Sequence, residues 1–236
     1  YIAEKRFAKG NLGERVGTLC TWAGLTTIAA LVISLNINFD PHGSLSAQFL
    51  KLAIIYISTS VPFFFAGLSI ALLFQRLSDR IPRLYLLTLI GSSFGCLIII
   101  PLLQFAGGPG AVLVIAAIAY LASVSFHVSA FSKDGISPPS ELAAENAKPR
   151  KLRITSAILS ALVAVALVVT GFMNASLDVV SIKHAKGRTV DLSSIVYDKW
   201  NAFSRIIVMD VTDTGVYYQG GIHNWGISEK WDLRHH

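Results

Sequence analysis

Between Leu84 and Phe105 the chain reads LYLLTLIGSSFGCLIIIPLLQF, without one charged side chain, and after Ala106-Gly107-Gly108-Pro109-Gly110 a second uncharged apolar run extends from Ala111 to Phe131. A helix that crosses a bilayer needs about 20 consecutive, mostly apolar residues. A helix on the surface of a soluble domain keeps one charged face instead. Neither run has such a face, so both read as membrane spans, with the Gly-Pro-rich stretch as a tight connection between them. Three further segments meet the same test: Val16 to Leu35, Phe49 to Phe74, and Ile154 to Met173. The second of these is long enough to tilt, and Lys51 at its edge can extend its ammonium to the headgroups.

The whole composition agrees. Of 236 residues, 53% are hydrophobic and only 14% are charged, against about 25% charged in soluble domains. The expected fold is therefore a membrane all-α bundle of five transmembrane helices over residues 1–173, followed by a small β-rich extramembrane segment over residues 174–236. Tyr1 in place of Met predicts that the natural N-terminus lies upstream. The polar lead-in from Glu4 to Arg15 lacks the pattern of a cleavable signal peptide.

Lys and Arg alternate between the flanks of these spans. The N-terminal stretch carries Lys5, Arg6, Lys9 and Arg15; the loop from Asn36 to Gln48 carries none. The next connection carries Arg76, Arg80 and Arg83, the Gly-Pro connection none, and the last loop Lys133, Lys148, Arg150, Lys151 and Arg153. Cytoplasmic loops concentrate such residues. The N-terminus is thus expected in the cytoplasm of a bacterial inner membrane and the segment after Met173 in the periplasm. The net charge of +6 is a topology signal, because it is divided among short flanks rather than gathered into one nucleic-acid-binding face. The expected partners are the lipid bilayer and other membrane-protein subunits, with no nucleic acid.

After Met173 come short β-like runs: Ile195-Val196-Tyr197 and Ile206-Ile207-Val208-Met209, then a turn signal at Asp213-Thr214-Gly215 and a return strand at Val216-Tyr217-Tyr218. Trp200 and Trp225 are the aromatic anchors here, expected to pack this small unit. Asn201, Ser204 and Arg205 are expected to close hydrogen bonds around it, with Asp198 or Asp210 as the partner of Arg205.

Candidate chemistry is sparse. Gly91 and Gly95, extended by Ser92 and Ser93, form a small-residue face that permits close helix packing, chiefly within the chain and secondarily against another subunit. Pro62 and Pro101 each remove a helix hydrogen bond and predict kinks. Without an intramembrane charge they support only a distant third reading, a small-molecule transporter. His127 is a weak candidate ligand for a pigment or metal; a lone histidine with no partner at i+3 or i+4 is more often a simple boundary residue. Cys20 and Cys96 lie in apolar runs and read as buried small side chains, not as a disulfide or metal pair. There is no Gly-rich nucleotide loop, P-loop or nucleophile elbow. No catalytic residue, metal site or cofactor is predicted.

Two distant stretches carry a resemblance. One is Val61-Pro62-Phe63-Phe64-Phe65-Ala66-Gly67, followed by Leu84 to Gly95, Pro101-Leu102-Leu103 and Gly107-Gly108-Pro109. The other is Lys199-Trp200-Asn201-Ala202-Phe203-Ser204-Arg205, with Trp225-Gly226-Ile227-Ser228 after it. Together, over residues 55–230, they resemble the bacterial membrane-bound spermidine synthase-like proteins. The resemblance implies a multi-helix membrane domain ahead of an aminopropyltransferase-like domain. Thr88 stands where that family usually has an acidic residue, and the family's nucleotide-binding strand is expected only beyond His236. The expected function is accordingly a non-catalytic membrane scaffold or accessory subunit derived from that family. The alternative is the membrane-anchor half of an aminopropyltransferase-like enzyme.

Overall fold

The computed structural model describes residues 12–38, 44–129, 150–177, 180, 182, 184–185, 188–189, 195–201 and 204–209. Helix α1 is Leu12–Asn36, α2 is Leu45–Arg76, a 3-10 turn covers Ser78–Arg80, α3 is Ile81–Ser129 and α4 is Arg150–Leu177. Among the described residues four helices are long and apolar enough to cross a membrane, which makes this a multi-pass membrane protein.

The helix count corrects the sequence expectation of five. The run 84–105 and the described part of the run 111–131, up to Ser129, belong to one element, α3, of 49 residues. Its two limbs together amount to about 74 Å of helix at 1.5 Å per residue, more than twice the thickness of a hydrocarbon core. The expected connection is a break at one residue, Gly107, with φ 69° and ψ 177°. That region of dihedral space is open essentially to glycine alone. Pro109 lies just beyond the break, in the first turn of the resumed helix, where its missing N–H leaves no bond unmade. No loop is needed, so none forms. Both α2 and α3 remain helical through Pro62 and Pro101.

Contacts fix how the helices run. Trp22 of α1 stacks on Phe65 of α2, with ring centroids 6.1 Å apart, and Leu12 and Val16 pack with Leu72, Leu73 and Leu77. Thus α2 is antiparallel to α1. Along the second limb of α3, His127 meets Gly17, Ser123 meets Thr21 and Tyr120 meets Gly24, again antiparallel. Ala117 and Tyr120 pack with Ala164 of α4, and Gly110 abuts Gly171. One end of the bundle therefore gathers Leu12, Leu77, His127 and Arg153. The other gathers Asn36, Leu45, Gly107 and Leu177. The first limb of α3, residues 81–106, starts beside Leu77 at the charged end and finishes at Gly107 at the opposite end.

Small residues make this core. Ala23, Ala30, Ala106, Ala111, Ala116, Ala117, Ala157 and Ala164 are buried. Lipid offers apolar groups no gain from association, so close backbone approach with its dispersion contacts must supply the attraction. The two outer elements differ. Only Ser69 and Leu72 are buried in α2, and no residue from Ile81 to Phe105 is buried. Their hydroxyls bond back to their own helix: Ser60 to the Tyr56 carbonyl at 2.7 Å, Thr88 to Leu84 at 2.9 Å, and Ser92 to Thr88 at 2.9 Å. Such back-bonding makes a polar side chain compatible with hydrocarbon.

Beyond α4 lie two small antiparallel pairs. Strands β1 (His184–Ala185) and β2 (Arg188–Thr189) form one; β3 (Ile195–Trp200) and β4 (Arg205–Met209) form the other. Ile206 to Met209 thus pairs backward in sequence with β3. The turn expected at Asp213-Thr214-Gly215, the strand at Val216–Tyr218, Asp210, and the Trp225 stretch lie outside the described residues.

Candidate functional site

The β3–β4 hairpin is built around its turn. Asn201 N–H donates to the Ser204 carbonyl at 2.9 Å, and Ser204 N–H donates to Asn201 Oδ1 at 2.7 Å. An Asn side chain that accepts from the backbone in this way fixes a turn locally. Strand alternation then puts Asp198, Trp200 and, across the ladder, Arg205 on one face, with Trp200 paired to Arg205. Arg205 Nε donates to Asp198 Oδ1 at 2.9 Å. Its guanidinium carbon lies 5.9 Å from the Trp200 ring centroid, within cation–π range. Arg205 therefore pairs with Asp198, one of its two expected partners.

The Trp200 indole also lies against the break of α3. A Cβ added at Gly107 would stand 3.1 Å from Trp200 Nε1, and one at Gly108 only 2.5 Å from Trp200 Cη2. Any residue but glycine at Gly108 would collide with the ring. The glycine pair is thus a notch, and Trp200 fills it. The sequence reading took Gly107-Gly108 as a connection; its role as a receptor for an aromatic ring was missed, because the two stretches are far apart along the chain.

A second polar site lies at the charged end. His127 is buried, and its Nδ1 lies 2.8 Å from the Ser123 carbonyl and 3.3 Å from Ser123 Oγ. An Nδ1–H donated to that carbonyl leaves Nε2 as the acceptor. Ser123 Oγ is 2.7 Å from Thr21 Oγ1, a bond between helices. The imidazole rests on Gly17, where a Cβ would be 2.5 Å from Cε1. One turn further out, Arg153 Nη2 lies 3.4 Å from Glu14 Oε2, both side chains being nearly nine-tenths buried. Glu14 belongs to α1 because that helix begins at Leu12, earlier than expected. Among the described residues no group of His, Cys, Asp and Glu is arranged to hold a metal. His127 is held here by helix packing.

The remaining expected site residues are placed as follows. No described atom lies within 4 Å of a Cβ at Gly91 or Gly95. The close glycine contacts are at Gly17, Gly24, Gly110 and Gly171, which lie in the bundle core, whereas the first limb stands at its edge. Lys199 is exposed opposite Ile206. Phe203 lies outside the described residues. Cys20 is partly buried and Cys96 is exposed on the first limb, so burial is incomplete for the one and corrected for the other, again because that limb lies outside the core.

The fold and its two sites define a multi-pass helical membrane protein with a β-hairpin seated on one end of its bundle. No family model, no curated protein and no solved structure matches this chain.

Proposed function

We propose that the chain is a non-catalytic membrane scaffold, an accessory subunit that holds an extramembrane unit in a fixed position for a partner. The observation that carries this reading is the seating of Trp200 in the Gly107-Gly108 notch. It ties the hairpin to the membrane helices through packing, with no reactive group at the contact. In this reading the protein lies in a bacterial inner membrane. Arg15, Arg76 and Arg153 at one end favour a cytoplasmic position for that end, which leaves the hairpin in the periplasm.

The test is mild extraction of the full chain from its native membrane, followed by native mass spectrometry. A stoichiometric partner subunit, reduced or lost in Trp200→Ala, is the expected result. Recovery of the chain alone under every mild detergent refutes the scaffold role. Orientation is tested with Ser204→Cys in a Cys20→Ser, Cys96→Ser background. A membrane-impermeant maleimide applied from the periplasmic side should label it, and protection from that side overturns the topology.

One observation favours the second reading, the membrane anchor of an aminopropyltransferase-like enzyme. The two stretches that carry the family resemblance, Gly107-Gly108 and the run around Trp200, touch. Release of methylthioadenosine from decarboxylated S-adenosylmethionine and an amine by the full protein would establish that reading. No turnover with an intact preparation would remove it.

A further inference from the structure

From the way Trp200 fills the break, we infer that this side chain is a latch on a hinge in α3: seated, it fixes the angle between the two limbs, and lifted, it frees residues 81–106 to reorient. Four features support the latch. Gly107 is the one residue of α3 with non-helical dihedrals, so the angle between the limbs is set there. At both Gly107 and Gly108 the three nearest neighbours of an added Cβ are all Trp200 atoms. The first limb has no buried residue of its own up to Phe105, whereas the second limb is buried from Ala106 onward against α1 and α4. The moving part is therefore the first limb, and lateral packing does not restrain it. Finally, Trp200 is tied to the hairpin as well as to the notch: the Arg205 guanidinium carbon lies 5.9 Å from its ring centroid, and Arg205 is itself forked onto Asp198.

Hinges absorb their change in a few residues at element ends, and the Gly107-Gly108 pair meets that description. A force or ligand acting on the hairpin then changes the orientation of a membrane limb without any chemistry at the contact. The device does not depend on the scaffold role. A chain that purifies alone would leave it standing.

The test is hydrogen–deuterium exchange on the full chain in lipid nanodiscs, reading amides 104–110 at the break and amides 195–209 in the hairpin. Trp200→Ala should accelerate exchange at 104–110 about tenfold or more, which corresponds to about 1.4 kcal/mol of lost docking. Gly108→Ala should do the same with the tryptophan present, since its new methyl group displaces the ring. The double variant should match Trp200→Ala alone, because the ring atoms nearest the new methyl group are then gone. Amides 113–127, in the core of the second limb, report whether each variant is folded. If Trp200→Ala fails that control, Gly108→Ala decides. Loosening confined to 195–209, with 104–110 at the wild-type rate, overturns the latch. So does full additivity in the double variant.

Discussion

Replacing Gly171 by Ala is the sharpest test of how the bundle is held. A Cβ at Gly171 would stand 2.9 Å from the Gly110 carbonyl oxygen and 3.0 Å from Val114 Cγ2, whereas non-bonded heavy atoms rest at about 3.5 Å or more. The obstacle is backbone, which cannot rotate aside. The second limb of α3 and α4 must separate by about 0.5 Å, and a gap of that size forfeits about a quarter of each contact's attraction. Overpacking of this kind destabilises by about 1–3 kcal/mol. The control is Gly67→Ala, where nothing lies within 4 Å. There the alanine removes glycine's entropic cost and is expected to stabilise by about 0.5–1 kcal/mol. Gly91→Ala and Gly95→Ala should behave as Gly67→Ala does. The assay is reversible unfolding in mixed micelles, with helicity as the signal and dodecyl sulfate as the denaturant. Opposite signs for the two sets are expected. A Gly171→Ala protein as stable as the Gly67→Ala control would refute the claim that direct backbone approach at Gly110 and Gly171 holds these helices together.

Three further outcomes follow from the same contacts. Ser123→Ala removes the bond to Thr21 and should cost about 0.6 kcal/mol, and at most about 1.7, in the same unfolding assay; a larger loss would mean that His127 depends on that hydroxyl as well. Glu14→Gln leaves the Arg153 guanidinium in a largely desolvated position with only a neutral acceptor and should cost about 1–3 kcal/mol, and adding Arg153→Gln should recover part of it. Strict additivity of the two changes would deny the coupling. Cys96 should resist a membrane-impermeant maleimide in bilayers until dodecyl sulfate is added. Rapid labelling by the impermeant reagent would place the first limb in water.

The membrane helices were legible because the hydrocarbon sets a length and forbids unpaired charge, and both constraints are written locally in the chain. The form of the connection between 84–105 and 111–131 was not legible. Gly107-Gly108-Pro109-Gly110 is equally good chemistry for a loop and for a one-residue break, and the choice depends on Trp200, which is remote in sequence. The glycines show the same division. Gly91 and Gly95 have the spacing that favours helix contact, but spacing does not say whether a neighbour is present. Gly17, Thr21 and Gly24 form a comparable small-residue face on α1, and there the second limb of α3 is the neighbour. Ile206 to Met209 is apolar enough to pair in either direction. The Asn201 side chain held the clue to the turn at 201–204, while Asp213-Thr214-Gly215 offered a more familiar signal. Glu14 was hidden by the assumption that the helix starts where the apolar run starts.

The back-bonded hydroxyls of α2 and of the first limb of α3 bear on biogenesis. A helix whose Ser and Thr side chains already carry their acceptors can leave the translocon and dissolve in lipid alone, because it requires nothing from a neighbour. Neither the bond between Thr21 and Ser123 nor the pair of Glu14 with Arg153 can form until separate helices have met. Insertion and assembly are thus separable in this chain: outer segments partition early as independent units, and α1, the second limb and α4 complete their polar contacts only on lateral association.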